Sequence, residues 1–141
     1  MPTVAFKAEE VPNAFRDRAA VTRWLQRVAQ DHGTRIDLVC YVLMTDTALL
    51  HYNRTFLQHD EFTDVITFPV ESNNGVAGDI LISYDRIREN AATFAVSAQK
   101  ELRRVMVHGL LHLLGHKDKT MAQRAAMREL EDRYLAKLNR A

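Results

Sequence analysis

TDVITFPVESNNGVAGDILIS, residues 63–83, decides the fold class. TDVITFPV (63–70) is rich in β-branched and aromatic residues and predicts a strand. ESNNGVAG (71–78) is turn chemistry, and DILIS (79–83) predicts a second strand, so a hairpin is the economical pairing. Upstream, RIDLVCYVLM (35–44) places Ile36, Leu38, Cys40, Val42 and Met44 on one face and Val39, Tyr41 and Leu43 on the other. A strand apolar on both faces is expected to be covered on both sides. TVAFK (3–7) alternates and predicts a short strand.

Helical segments separate and follow these strands. Residues 17–32 carry Val21, Trp24, Leu25 and Val28 at helical spacing, with Gly33 as a stop. Thr45 can cap a helix over about 46–57, whose apolar side holds Ala48, Leu49, Tyr52 and Phe56. Three more are predicted over about 84–94, 98–115 and 121–138, with Ser97 capping the second and Thr120 with Gln123 forming a capping box for the third. The order β, α, β, α, β, β, α, α, α predicts an α+β domain, 1–141, with a small mixed four-stranded sheet and about five helices packed on it.

Composition bounds the function. The chain has 141 residues, enough for one core burying roughly 70% of the surface its unfolded chain exposes. Such a core needs neither disulfide nor structural metal, and Cys40 is the single cysteine. The N-terminal MPTVAFKAEEVPNAF has no apolar core and carries acids early, which argues against a secretory signal. No stretch reaches the length of a membrane span. The expectation is a soluble cytoplasmic protein with no membrane partner. Lys plus Arg number 19 and Asp plus Glu 18, for a net charge of +1, so a phosphate-rich partner must meet a local patch. Candidate patches are Arg86 with Arg88, Lys100 with Arg103 and Arg104, and Arg16, Arg18, Arg23 and Arg27. Each also reads as a solvated helix face.

The chemistry concentrates in VMVHGLLHLLGHKDK (105–119). On a helix, His108 and His112 lie on one face with Cβ atoms about 6 Å apart. Two imidazoles so placed can converge on one metal ion, zinc being the default for hydrolysis. Gly115 suits a helix C′ position of positive φ and lets the chain turn back. Asp118, three residues on, then has the slack to return as third ligand. His116 is the alternative third ligand, but still on the helix it would lie about 12 Å along the axis from His108. Peptidases of the H-E-x-x-H class carry a glutamate next to the first histidine; here that position is Gly109.

HGLLHLLGHKD (108–118) resembles the H-G-x-L-H-L-x-G-Y-D-H signature of the YbeY family of bacterial rRNA-maturation endoribonucleases. YNRTFLQHDEFTDVITFP (52–69) is similar to the family's L-N-x-x-Y-R-x-K-D-x-P-T-D-V-L-S-F-P segment, and GDILIS (78–83) to its G-D-I strand. The resemblance implies a single-strand-specific metallo-endoribonuclease in 16S rRNA 3′-end maturation and ribosome quality control. It implies one Zn2+ or other divalent transition metal per chain, and single-stranded 16S rRNA precursor and ribosomal particles as partners. His108 and His112 match the first two ligands. The family's third histidine falls on Asp118, its tyrosine on His116, its aspartate on Lys117 and its middle-segment arginine on Leu57. Arg54 and His59 stand nearby as substitutes, and Arg103 and Arg104 complete the RNA-binding candidates.

A metal with three protein ligands keeps a position for water or substrate, and beyond that water no catalytic group is assigned. Asp79 reads as a residue backing the metal site or as a strand-end residue. Tyr52, Phe56, Phe62 and Phe68 are available for base stacking, although Phe56 and Phe68 read as core. Two other functions compete: a zinc peptidase, and a non-catalytic ribosome-assembly factor with a structural metal.

Overall fold

The computed structural model describes residues 3–59 and 61–138. The elements run β1 (Thr3–Ala8), α1 (Arg18–Asp31), β2 (Ile36–Met44), α2 (Asp46–Leu57), β3 (Val65–Val70), β4 (Val76–Ser83), α3 (Tyr84–Thr93), α4 (Ala98–Leu113) and α5 (Met121–Leu138). The strands form one four-stranded sheet in the order β1-β2-β4-β3. β1, β2 and β4 are parallel, and β3 pairs antiparallel with β4. This is the expected α+β class with a mixed sheet. The hairpin is present, but β4 begins at Val76 rather than Asp79, so the turn is shorter than its composition suggests.

β2 is covered on both faces. Val39, Tyr41 and Leu43 join Ile80 and Ile82 in the larger core, which also takes in buried residues of α1, α4 and α5. Val42 and Met44 pack with Leu49, Ile66 and Leu81 in a smaller core beneath α2. The simple alternation fails at the start of the strand, where pairing with β4 shifts register between Ile36 and Leu38. The irregularity turns Ile36 into the larger core and leaves Leu38 half exposed. Phe56 is a second correction: it is 60% exposed rather than core, with its ring edge against Phe68.

Local signals hold the helix starts. The Oγ atoms of Thr45, Ser83 and Ser97 each accept from the backbone N–H three residues on, at 3.1 Å. The Thr120–Gln123 box forms as expected, Gln123 donating to Thr120 Oγ1 and accepting from the Thr120 N–H, both at 3.1 Å. Trp24 Nε1 donates to the Tyr134 carbonyl at 2.7 Å, joining α1 to α5. Tyr41 donates to the Met106 carbonyl at 2.9 Å, joining β2 to α4.

The contact between α4 and β4 is the closest of these joints. A Cβ at Gly109 would lie 2.8 Å from Ile80 Cγ2 and 3.1 Å from its Cδ1. A β-branched neighbour is stiff and yields little. Gly109→Ala is therefore expected to lower unfolding stability by about 1–3 kcal/mol, the range for overpacking a core. Denaturant unfolding of the variant checks this, and unchanged stability would mean that the two elements can separate freely.

Candidate metal centre

α4 carries Glu101, Arg104, His108 and His112 at helical spacing, so they share one side of the helix. Gly109 turns the neighbouring side onto the sheet, which leaves His108 and His112 half-buried at the sheet's β3 end. Their rings meet nearly edge to face, with centroids 4.6 Å apart and Nε2 atoms 3.0 Å apart. The helix then stops in a Schellman turn. Gly115 has φ 105°, its N–H donates to the His112 carbonyl at 3.0 Å, and the His116 N–H donates to the Leu111 carbonyl at 3.0 Å.

That turn sends the two candidate third ligands in opposite directions. Asp118 Oδ2 comes back to 3.3 Å from Nε2 of both His108 and His112. One ligand atom from each of the three residues lies within 4.8 Å of the others. His116 goes to the end of α1, its Nε2 2.8 Å from Nε2 of His32. His32 Nδ1 donates to the Val28 carbonyl at 2.8 Å, so a neutral His32 accepts from His116 at Nε2. Burial, then the His32 and His112 charges, hold the His116 pKa below the ordinary value, which favours the neutral ring this pairing needs.

Behind the triad lies a buried ionic relay. His108 Nδ1 is 2.6 Å from Glu131 Oε2, and Glu131 Oε1 accepts from Arg104 Nη1 at 3.0 Å. Arg104 also donates to Asp132 at 2.6 Å. Glu131 is 5% exposed. With Nδ1–H committed to Glu131, neutral His108 points a lone pair at His112 and Asp118. Burial alone would lower the His108 pKa, but the Glu131 hydrogen bond and the charges of Glu131, Asp118 and Asp64 raise it.

Two clefts flank the triad, and Asp64, His108 and Asp118 line both. The first, about 500 Å³, has Asn53, Leu57, His59, Phe62 and β3 residues in its walls. The second, about 490 Å³, lies among α3, α4 and α5 and includes Glu101, Arg104, Arg124 and Arg128. Asp64 is half-buried at the entry to β3. Burial pushes its carboxyl pKa up, and the nearby His108 charge pulls against that rise.

The RNA-binding candidates are scattered. His59 lines the first cleft and sits 3.8 Å from Glu61. Arg104 lines the second, while engaged with Glu131 and Asp132. Arg54 is exposed in the last turn of α2 and lines neither cleft. Arg103 lies away from both, donating to Asp17 at 3.1 Å. Asp79 is neither behind the triad nor at a strand end. It sits mid-strand in β4 on the opposite sheet face, in a groove with Lys7, Cys40 and Phe68.

Against known proteins, the family model described as Endoribonuclease YbeY matches residues 4–139. The chain belongs to the endoribonuclease YbeY family. It is 39% identical over 133 residues to an Endoribonuclease YbeY of Parabacteroides distasonis, covering 94% of each chain. It is 41% identical over 135 residues to that of Cytophaga hutchinsonii, covering 95% of this chain and 94% of the relative. The solution structure of TM1509 from Thermotoga maritima shares the fold, with a TM-score of 0.65 and 24% identity, covering 96% of this chain and 89% of that one.

Sequence reading missed Glu131 and Asp64. Glu131 had a signal: it falls in the stripe Met127, Glu131, Tyr134, Leu135 and Leu138, where a charge among apolar residues calls for a partner. Asp64 had its place before a strand and its match to the aspartate of T-D-V in the segment 52–69, and neither was used. The relay has a measurable consequence. In metal-free protein, His108 is expected to titrate above the ordinary value of about 6.5, and Glu131→Gln should bring it down, read by NMR of the ring protons. Because the folded pKa is the raised one, this contribution to stability is complete below that ordinary value and is lost as pH rises through the folded value. A His108 titration indifferent to Glu131→Gln would break the relay.

Proposed function

We propose that the chain is a metal-dependent endoribonuclease cleaving single-stranded RNA in the cytoplasm, acting as one domain on the 16S rRNA precursor and ribosomal particles. The carrying observation is the convergence of two imidazole nitrogens and one carboxylate oxygen within 4.8 Å. With His108 Nδ1–H given to Glu131, its Nε2 faces His112 and the Asp118 carboxylate as an acceptor, and a cation taking the place of any proton between the rings would satisfy all three. The donor set suits a zinc-type ion held by His108, His112 and Asp118. Such an ion, when bound, polarises a phosphoryl oxygen and makes water a better nucleophile.

The chain's own groups supply the rest. Glu131 fixes the tautomer and ring orientation of His108. Asp64, present in both clefts, is placed to accept the proton of an attacking hydroxyl or water. Its raised pKa brings it toward the range in which a general base works well. Clefts on both sides of the triad allow a chain to pass across it rather than end at it, as internal cleavage requires. The peptidase alternative is weakened by Gly109. A side chain there would run into Ile80, so the usual peptidase glutamate has no room. The structural-metal alternative is weakened by a core that includes 23 buried residues without calling on the triad.

Incubation of zinc-loaded protein with single-stranded RNA and with unstructured protein is expected to show RNA cleavage alone, abolished by chelator. Asp118→Ala should lose most metal affinity by calorimetry and His116→Ala little; the reverse pattern would reassign the third ligand. Asp64→Asn is expected to keep metal content while slowing cleavage by about 10²–10⁴-fold. A variant with normal rates would remove Asp64 from the chemistry.

A further inference from the structure

The second cleft contains a carboxylate that the ribonuclease reading does not use. Glu101 is 5% exposed and lines this cleft. It stands on α4 seven residues before His108, about 10 Å along the helix axis. Among the described residues, no hydrogen bond reaches its carboxylate. Glu131 in the same cleft is buried to the same degree and takes two. The Glu101 oxygens are not among the side-chain atoms shut off from solvent without a partner, so water in the cleft reaches them. Burial pushes the Glu101 pKa up, and the charges of Arg104 and Arg128 only partly oppose this. Its open side faces the cleft, where a ligand's donors can take the place of that water.

The other walls narrow the choice of ligand. Phe94, at the end of α3, is 53% exposed, and the Arg128 guanidinium carbon lies 5.7 Å from its ring centroid. A planar ring can stack there. Arg124 and Arg128, one turn apart on α5, place positive charge in the wall of a cleft whose inner end is acidic. His108 and Asp118 close that inner end, so an occupant of this cleft is the immediate neighbour of the triad.

We propose that the second cleft is a guanine subsite, in which Glu101 accepts two hydrogen bonds from one base edge, Phe94 stacks on the ring and Arg124 with Arg128 hold the adjoining phosphate. This rests on the ribonuclease reading and adds base selectivity to it. Guanine is singled out by donor count. Its N1–H and exocyclic N2–H2 lie side by side and match the two oxygens of one carboxylate. Adenine and cytosine each place an acceptor nitrogen beside their amino group. Uracil flanks its single N–H with two carbonyls. Each of these three would bring an acceptor against the carboxylate. Asn90 lines the same cleft, and an amide can donate to guanine O6.

The test separates the subsite from the activity. The full chain is titrated with guanosine, inosine and adenosine 5′-monophosphates and followed by amide NMR. Inosine keeps N1–H and lacks the exocyclic amine. Guanosine monophosphate is expected to bind at least about tenfold tighter than either analogue, with shifts at Phe94, Arg124 and Arg128. Glu101→Gln should level the three affinities. Phe94→Ala, a change at an exposed side chain, should weaken all three without changing their order, and serves if Glu101→Gln fails to fold. In a second arm, zinc-loaded protein is given uridine oligonucleotides carrying one guanosine. Cleavage at a fixed offset from the guanosine, lost in Glu101→Gln, supports the subsite in RNA. Equal nucleotide affinities, or shifts confined to the β3 side, overturn it. So does RNA cleavage indifferent to guanosine. Selective guanosine monophosphate binding without RNA cleavage leaves the pocket standing and overturns the ribonuclease reading instead.

Discussion

The absence of a side chain at Gly109 is the constraint from which the site follows. α4 approaches β4 until Ile80 fills the space a Cβ would take. At that distance the helix cannot rotate without losing contact with Ile80 and Ile82 or driving Val105 and Leu110 out of the core. The rotation is therefore set, and with it the direction of the 101–104–108–112 side. That side looks past the sheet edge toward β3 and α5. The two imidazoles are presented by a rigid element rather than by a loop, which is how a metal site keeps its geometry.

Fixing α4 does not suffice to fix the rings. His108 is oriented by Glu131 from a helix that follows it in the chain, and Glu131 is in turn held by Arg104 from α4 itself. α4 and α5 thus exchange charges through a largely buried pair. Such pairs contribute little net stability, because desolvation offsets much of the attraction, but removing one partner strands the other at a cost of several kcal/mol. The relay is better understood as a device for holding one ring in one tautomer. The Arg104 charge also acts on Glu101, opposing the effect of Glu131 on that second carboxylate of the cleft.

Much of this was legible in the sequence, and the reasons differ by level. Strand β2 declared itself through a continuous apolar run, β4 through DILIS after turn residues, and helix starts through Thr45, Ser97 and Thr120, because those signals act within a few residues. The triad was legible because two candidate ligands share a helix face and the third candidate follows a glycine stop, all within eleven residues, 108–118. What failed was non-local or depended on a break in period. The register shift near Leu38 inverted a face that simple alternation assigns. Phe56 looked like core because helical spacing alone does not show where a helix overhangs its sheet. Asp79 suggested a link to the site, but alternation along β4 puts it opposite Ile80 and so away from α4. Glu131 could be suspected from its apolar stripe, yet its partner across 23 residues could not be named without the packing of α5 on α4.

The electrostatics of the centre join these levels. Asp64, Asp118 and Glu131 gather around two imidazoles, Glu101 adds charge further along the second cleft, and Arg104 is already engaged by Glu131 and Asp132. Left to itself, that arrangement repels a phosphodiester. On the ribonuclease reading the divalent ion therefore does more than activate chemistry. It reverses the sign of the field at the one place where the RNA backbone must come close. Replacing a neutral imidazole by the Asp118 carboxylate lowers the formal charge of a divalent site from +2 to +1, so less of that reversal remains for the substrate. The arginines of the second cleft stand where this shortfall would be felt, at the wall beside the triad rather than within it. A weaker centre and a basic flank are then two parts of one solution. On that reading a bound cation would draw the scissile phosphate inward, and Arg124 and Arg128 would retain the neighbouring one.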